Sequence, residues 1–195
     1  FVSKGQLNIN MKPFKDIGGR PLLQVLCEEP HDPGPDGRLL NLFEVHRRYP
    51  SGGVHGGGSS NETARKGWER RMYGTVFDGV DVRERPKYGN LNLLANRAGD
   101  RRSKQYGKSY LVMKPELCGR CTITSQDSCC SSARLGNLEH CAHVLLHQFE
   151  MLSDAGKRRD FAAALKALAR GDDPTGTHAH LMQLMSAYIE VQYHG

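Results

Sequence analysis

The chain has 195 residues, of which 38% are apolar, and its mean hydropathy is −0.57. This length supports one domain, with or without an insertion, and the apolar fraction is sufficient for a hydrophobic core. The 22 glycines and nine prolines favour turns and loops over a helical bundle. No stretch approaches the roughly 18 consecutive apolar residues of a membrane span, so we expect no membrane partner.

The formal charge of +6 and isoelectric point near 9.1 favour acidic partners such as nucleic acid, nucleotide phosphates or anionic surfaces. Lysine and arginine are spread through the chain, however, so a solvated basic surface is the favoured interpretation. The six cysteines are not spaced like a disulfide framework, which favours reduced thiols. The chain starts at Phe1 and stops at Gly195 directly after a predicted strand. We therefore expect a part of a longer protein, in which missing targeting signals say nothing about export.

The first half of the chain predicts a strand, loops and a helix. Leu7–Met11 alternates apolar and polar residues, as a half-buried strand does. Residues 39–45 read as a strand or a short helix. The Gly/Ser-rich residues 49–61 can cradle phosphates or form a linker, and the linker is favoured because the P-loop spacing is absent. Residues 62–73 predict a basic helix in which Trp68 packs into the core.

The stretch Val82–Leu94 predicts the central strand. Arg85 precedes proline, which pushes it into an extended conformation. Tyr88 and Gly89 follow, and then Asn90 lies on the strand face opposite the neighbouring leucines. Residues 96–107 predict a basic hairpin loop, residues 110–113 a buried strand, and residues 122–124 another strand.

From residue 137 the apolar period changes from two to three and four. Residues 138–152 predict an amphipathic helix, Asp160 is the predicted N-cap of a second helix, and a third helix is predicted from Thr177 to Tyr188. The pattern then returns to strand alternation. The sequence thus predicts a single α+β domain over 1–195, with a twisted antiparallel or mixed sheet and a helical insertion (129–176) before the last strand.

The last predicted strand carries three polar residues on one face, Glu190, Gln192 and His194, and an apolar opposite face. In a cleft, such a row can bind ribose hydroxyls or hold a carboxylate beside a developing cation. The same pattern is typical of the solvent-facing side of an edge strand. The sequence leaves both interpretations open.

Zinc is a second possibility for part of the chain. The weak candidate ligands are Cys118, Cys121, Cys129 and His143, with Cys118 and Cys121 in the two-residue spacing of a zinc knuckle. His140, His143 and His147 share one predicted helical face, which is another metal-like spacing. The second cysteine pair lacks clean spacing, however, and buried free thiols are the commoner outcome.

A nucleic-acid interpretation would use the arginines of the 62–73 helix and the basic 97–108 loop, with Tyr88 and Tyr106 for base stacking. No recognised nucleic-acid-binding motif is present, and basic loops are mostly solvated. We therefore do not expect nucleic acid to be the main partner.

Four segments resemble an uncharacterised, mainly bacterial domain family. They are W-E-R-R-M-Y-G (68–74), R-P-K-Y-G-N-L-N (85–92), G-K-S-Y-L-V-M-K-P-E (107–116) and E-V-Q-Y-H-G (190–195). Residues 122–128 look like a further family segment. The resemblance covers most of the chain from about Leu7 and includes the order of the segments.

This family in turn resembles the ADP-ribosyltransferases, which implies their fold and NAD as the substrate cofactor. The resemblance implies Glu190 as the catalytic carboxylate, with Gln192 and His194 beside it. The superfamily often places a glutamate or glutamine two residues before the catalytic glutamate, whereas here Gln192 follows. The NAD contacts implied are Tyr88, Arg85, Asn90, Ser51 and Arg47.

Two segments depart from the family pattern. Residues 11–15 replace a histidine–arginine segment, and residues 44–53 keep only Glu44 and Ser51-Gly-Gly of a serine–threonine-rich motif. Arg47, with His46 and Arg48, is the implied substitute as a phosphate or nicotinamide contact.

The sequence is thus interpreted as a mono-ADP-ribosyltransferase-like enzyme that uses NAD to modify a side chain of a protein acceptor. The resemblance implies an effector or toxin, secreted or translocated, and a cytoplasmic location is the alternative. The rival hypothesis is a non-catalytic binding protein, stabilised by zinc, for an anionic partner such as nucleic acid or an acidic protein.

Overall fold

The computed structural model describes residues 5–12, 14, 16–17, 19–22, 41, 43–44, 62–93, 95–170, 180–181 and 183–194. Its strands are β1 Gln6–Met11, β2 Asp16–Ile17, β3 Arg20–Pro21, β4 Lys87–Asn92, β5 Ser109–Val112, β6 Cys121–Thr124, β7 Leu135–Asn137 and β8 Glu190–Tyr193. Its α-helices are α1 Glu62–Tyr73, α2 Ala142–Glu150 and α3 Ala155–Arg170. Short 3-10 helices cover Val82–Glu84, Arg101–Tyr106 and Pro115–Arg120.

Six strands form one antiparallel sheet in the order β5-β1-β4-β8-β6-β7. The strands β2 and β3 form a separate two-stranded sheet. With the helices, this is an α+β architecture, as the sequence predicts. None of the helices in the described ranges is long and apolar enough to cross a membrane.

The hydrophobic core lies on one face of the six-stranded sheet. Alternation along the inner strands turns their apolar residues to this face, where α2, α3, Leu181, Leu184 and Met185 cover them. The core side chains from the strands are Leu7, Leu91, Cys121, Ile123, Val191 and Tyr193, and Leu93 joins them directly after β4. Those from the helical side include Val144, Phe161, Ala164, Leu181 and Met185.

The opposite face of the sheet is polar, and α1 lies against part of it. The α1 side chains Glu69 and Tyr73 hydrogen-bond to Tyr88 on β4 and Thr122 on β6. The sequence predicts the α1 bounds, but its prediction for Trp68 is wrong. Trp68 is only half-buried, with the Arg65 guanidinium 5.6 Å from its ring, because α1 packs on a polar surface rather than on the core.

The predicted hairpin at residues 96–107 is also wrong. Strand β1 lies between β4 and β5, so this segment crosses over β1 instead of turning back beside β4. It contains the 3-10 helix Arg101–Tyr106, which begins after Asp100, whose carboxylate accepts a bond of 2.9 Å from the Arg102 N–H. The following strand, β5, is predicted as buried but lies at the end of the strand order, where Val112 is 56% exposed.

Three helix boundaries differ from the predictions. Helix α2 begins at Ala142 rather than at 138, because the Asn137 side chain holds a bend there by accepting from the Glu139 and His140 N–H groups. Helix α3 begins at Ala155, and the residue that caps it is Asp154, which accepts a bond of 2.7 Å from the Lys157 N–H; Asp160 lies inside the helix. The third predicted helix ends before Tyr188, because that residue enters the strand alternation of β8.

Candidate functional site

Strand β8, which carries the predicted catalytic residues, lies in the middle of the sheet. Its register places Glu190 between Asn90 on β4 and Thr124 on β6, and Gln192 between Tyr88 and Thr122. The edge-strand interpretation is therefore wrong: Glu190 is 5% exposed and Gln192 is fully buried. Pairing on both sides makes β8 a central strand, and contacts from Ser128, Tyr188 and the β6 threonines cover its polar face. One strand's own pattern cannot reveal either feature.

The Glu190 carboxylate is held by three hydrogen-bond donors. Its Oε1 atom accepts from the Gln192 side-chain Nε2 at 2.8 Å and from the Ser128 backbone N–H at 3.3 Å. Its Oε2 atom accepts from the Tyr188 hydroxyl at 3.2 Å. A buried carboxylate with both oxygens bound has a fixed orientation, as an electrostatic catalyst requires.

Burial, and after it the nearby Asp127 carboxylate, raise the pKa of Glu190, which lies at about 7. The bonds from Ser128, Gln192 and Tyr188 act in the opposite direction, because they stabilise the ionised form. The side chain can therefore gain or lose a proton near neutral pH. Such a shift is typical of functional carboxyls.

Asp127 and Tyr106 complete the surroundings of Glu190. The Tyr106 and Tyr188 hydroxyls lie 2.5 Å and 2.9 Å from Asp127 Oδ2, and 3.0 Å from one another. Burial raises the pKa of Asp127, but hydrogen bonds from Tyr106, Cys129 and Tyr188 lower it by more. The pKa of Asp127 therefore lies below its ordinary value.

Sequence reasoning did not select these neighbours of Glu190. Asp127 lies in the 122–128 segment that resembles the family, which is the one signal that could have identified it. Tyr188 was assigned to a helix, although it lies two residues before Glu190 and fits the same strand alternation. Tyr106 lies in the basic loop, where the sequence suggests it only as a base-stacking residue for nucleic acid.

Gln192 connects Glu190 to two threonines of β6. Its Nε2 donates to Thr124 Oγ1 at 3.0 Å as well as to Glu190, and its Oε1 accepts from Thr122 Oγ1 at 3.1 Å. All polar atoms of the amide are thus used, which fixes its orientation. Gln192 acts on Glu190 by holding Oε1 in place.

His194 lies at the far end of the same row. Its Nε2 is 2.9 Å from Thr122 Oγ1, and its ring is parallel to Phe77 at 6.1 Å and perpendicular to Tyr73 at 5.5 Å. Burial lowers the pKa of His194, so the ring is held neutral at neutral pH. No described hydrogen bond joins it to Glu190.

Arg85 and Tyr88 belong to a separate buried cluster with Glu69 of α1. Arg85 Nη1 donates to Glu69 Oε2, Arg85 Nη2 donates to the Phe77 carbonyl at 2.8 Å, and the Tyr88 hydroxyl donates to Glu69 Oε1 at 3.1 Å. Arg85 and Glu69 are 5% and 1% exposed. Burial raises the pKa of Glu69 even though Arg85 opposes this. Through Glu69, this cluster joins α1 to Tyr88 on β4 and to Arg85 just before it.

Of the other predicted NAD contacts, Asn90 lies directly opposite Glu190 and is buried. Ser51 and Arg47 lie outside the described residues, as does the Gly/Ser-rich segment that contains Ser51. The structure therefore brings together Glu190, Gln192, Asn90 and Tyr88 on one sheet face, with His194 at its end and Arg85 in the adjoining cluster.

The candidate zinc ligands are not brought together. Cys121 is buried in the hydrophobic core and its thiol donates to the Leu117 carbonyl at 2.9 Å; burial, and then Cys118, raises its pKa to about 12. Cys129 is exposed, and His143 Nε2 contacts the Leu135 carbonyl. Within the described ranges, no three Cys, His, Asp or Glu side chains are grouped so that they could hold a metal ion.

Comparison with protein-family models identifies the family of the chain. No curated protein matches the chain. A family model described as "Protein of unknown function (DUF3626)" matches residues 36–195, which include β4 and β8 and begin after β1. Since this match covers most of the sequence, the chain belongs to the DUF3626 family of proteins of unknown function.

Proposed function

We propose that the protein is a mono-ADP-ribosyltransferase-like enzyme that transfers ADP-ribose from NAD to a protein side chain. The observation that carries the proposal is Glu190, a buried carboxyl on the central strand whose two oxygens are held by Gln192, Ser128 and Tyr188. Its resemblance to the late-strand glutamate of the transferases supplies the reaction class.

The proposed reaction breaks the bond between nicotinamide and ribose C1′. The bonding electron pair leaves with nicotinamide, and positive charge develops on the ribose ring. The ionised Glu190 carboxylate would stabilise this charge, since a fixed anion in a water-poor site acts more strongly than one in water. A nucleophilic side chain of the acceptor then bonds to C1′ and loses its proton to solvent.

The neighbouring residues would act through position rather than through protons. Gln192 holds Glu190 Oε1. Tyr88, two residues along β4 from Asn90 and on the same face, would stack its ring on the nicotinamide ring. Asn90 lies opposite Glu190 and would contact the substrate directly. Arg85 would support Tyr88 through their common partner Glu69.

A non-catalytic binding protein for an anionic partner is the second candidate. The observation that favours it is a group of exposed cations around the 3-10 helix Arg101–Tyr106. Its members are Lys12, Arg97, Arg101, Lys104 and Lys108. A polyanion would bind such a surface with strong salt dependence, and it would not require Glu190.

The test is nicotinamide release from NAD by the purified protein, with water as the acceptor, compared with Glu190→Gln. We expect the variant to release nicotinamide at least about 100-fold more slowly than wild type, which is the size of effect seen when a fixed electrostatic group is removed. Glu116→Gln, at an exposed site on the 3-10 helix Pro115–Arg120, is the control and should keep the rate. Absence of both release and NAD binding at millimolar concentration would refute the transferase and favour the binding protein.

A further inference from the structure

Two asparagines on the polar sheet face are buried without hydrogen-bond partners. Asn8 on β1 and Asn90 on β4 lie directly opposite one another, and they are 0% and 1% exposed. Neither the side-chain nitrogen nor the side-chain oxygen of either residue has a partner in the described part of the chain. Four unpaired polar atoms at one place are unusual, since buried polar side-chain atoms are nearly always hydrogen-bonded.

Neighbouring asparagines on the same two strands are paired, so the feature is specific to this position. Asn10 donates to the Gly107 carbonyl at 2.8 Å and accepts from Ser103 at 3.3 Å. Asn92 donates to the Asn96 carbonyl at 2.9 Å. Each unpaired buried group costs about 1–3 kcal/mol, so the Asn8–Asn90 pair destabilises the fold unless something else binds it.

The unpaired asparagines lie beside Glu190. Cross-strand pairing aligns Asn8, Asn90 and Glu190 across three adjacent strands, which are about 4.8 Å apart in a sheet. Glu190 makes no hydrogen bond to Asn90, because its oxygens accept from Gln192, Ser128 and Tyr188. The carboxamide pair and the carboxylate thus form one polar row, of which only the carboxylate end is satisfied.

We propose that Asn8 and Asn90 together bind the primary carboxamide of a small ligand. Each asparagine offers an unmet N–H donor and an unmet C=O acceptor, and a primary carboxamide supplies both complementary groups. A carboxylate has no donor for the asparagine oxygens and would be repelled by ionised Glu190. An ammonium or guanidinium group has no acceptor for the asparagine N–H groups.

This inference rests on the proposed function for the identity of the ligand, which is the nicotinamide end of NAD. Its carboxamide would bind at Asn8 and Asn90, and its glycosidic bond would then lie towards Glu190. The pair would orient the leaving group, and it would distinguish nicotinamide from nicotinic acid, which differs only in carrying a carboxylate.

The experiment is titration calorimetry with nicotinamide on wild type, Asn8→Leu and Asn90→Leu, with Asn10→Ala as the matched control. We expect each leucine variant to bind nicotinamide at least tenfold more weakly, and we expect nicotinic acid to bind wild type at least tenfold more weakly than nicotinamide. Asn10→Ala should bind as wild type does, since its carboxamide is satisfied within the protein. Thermal unfolding should show the leucine variants as stable as wild type or more stable, because they remove unpaired polar atoms.

A second measurement uses the wild-type protein alone. The side-chain amide resonances of Asn8 and Asn90 should move on titration with nicotinamide, while those of Asn10 and Asn92 stay in place. Unchanged nicotinamide binding in both leucine variants, or no nicotinamide binding to wild type, would overturn the inference. NAD turnover that depends on Glu190 but not on the asparagines would leave the proposed function standing while refuting this subsite.

Discussion

The Tyr188 hydroxyl lies 3.2 Å from Glu190 Oε2, although its single proton is also within reach of Asp127 Oδ2 at 2.9 Å. The Tyr106 hydroxyl approaches the same Asp127 oxygen at 2.5 Å. When Asp127 and Glu190 are both ionised, the hydroxyls of Tyr106 and Tyr188 have only two protons for four contacts: three to the carboxylates and one between the hydroxyls. A proton on Glu190 removes the conflict, because Glu190 can then donate to Tyr188. The geometry thus agrees with the raised pKa of Glu190.

Stability should depend on pH through Glu190. Its pKa is about 7 in the folded protein and near 4.5 when unfolded, so the folded state binds more protons between these values. The resulting stabilisation is fully present below pH 4.5 and is lost as the pH rises through 7. Such a difference corresponds to about 3 kcal/mol.

We expect Glu190→Gln to lose this dependence, because glutamine does not ionise. In urea unfolding at pH 5, 6, 7 and 8, the free energy of unfolding of the variant should rise relative to that of wild type by up to about 3 kcal/mol as the pH rises. The raised pKa of Glu69 also makes stability fall as the pH rises, and the lowered pKa of His194 makes it increase. Both residues are present in wild type and variant, so their effects cancel in the difference between the two unfolding free energies. A difference that is constant with pH would contradict the raised pKa.

Asp127 and Tyr188 should tune Glu190 in opposite directions. Asp127→Asn removes a negative charge and should lower the pKa of Glu190, whereas Tyr188→Phe removes a donor to its carboxylate and should raise it, each by about one unit or more. The measurement is a titration of the glutamate side-chain carboxyl carbons by NMR, with Glu190→Gln to identify the signal. Asp78→Asn, at an exposed acid, should leave the titration unchanged. Shifts of the same sign in both variants would refute the network.

Local patterns in the sequence predicted β1, β4, β6 and β8 and the face on which each apolar residue lies, because strand alternation is a property of adjacent residues. The order of the strands could not be predicted in this way, since Asn8, Asn90 and Glu190 are far apart in sequence. The polar face of β8 is therefore open to two interpretations from sequence alone, and the burial of Gln192 against the β6 threonines excludes the solvent-facing one.

Single residues in loops escaped prediction for a related reason. Asp127 and Tyr106 have no periodic neighbours, so no residue pattern indicates a role beside Glu190, and only Asp127 lies in a segment that resembles the family. Arg85 was selected for the site because of its place in a motif, and the structure gives it a buried ion pair with Glu69. Motif position thus identified residues near the site without separating those that face it from those that support it.

The Glu69–Arg85 pair should matter far more to stability than a surface pair. Arg85→Met leaves the Glu69 carboxylate buried without its cation, and breaking a buried pair in this way costs about 3–5 kcal/mol. Arg70→Met, in the exposed pair with Asp78, is the matched control and should cost less than about 1 kcal/mol. Urea unfolding of both variants measures the contrast. Equal losses of unfolding free energy in the two variants would show that water reaches the Glu69–Arg85 pair.

Gly89 should be irreplaceable because two neighbouring strands approach it closely. A Cβ atom there would lie 2.1 Å from the Asn8 carbonyl oxygen and 2.8 Å from the Tyr193 ring, which crosses β4 so that its hydroxyl can donate to that same oxygen at 3.3 Å. Alanine must therefore displace backbone on β1 or the ring from β8, and we expect a loss of about 1–3 kcal/mol or more.

Gly67→Ala is the control for this change, because a Cβ atom at that position of α1 meets nothing within 4 Å. It should stabilise the protein by about 0.5–1 kcal/mol, since alanine favours helix over glycine. Urea unfolding of the two alanine variants should therefore give effects of opposite sign. If Gly89→Ala were as stable as Gly67→Ala, β1 and β8 could not both approach β4 at Gly89. The alignment of Asn8, Asn90 and Glu190 depends on that approach, because all three strands share this part of the register.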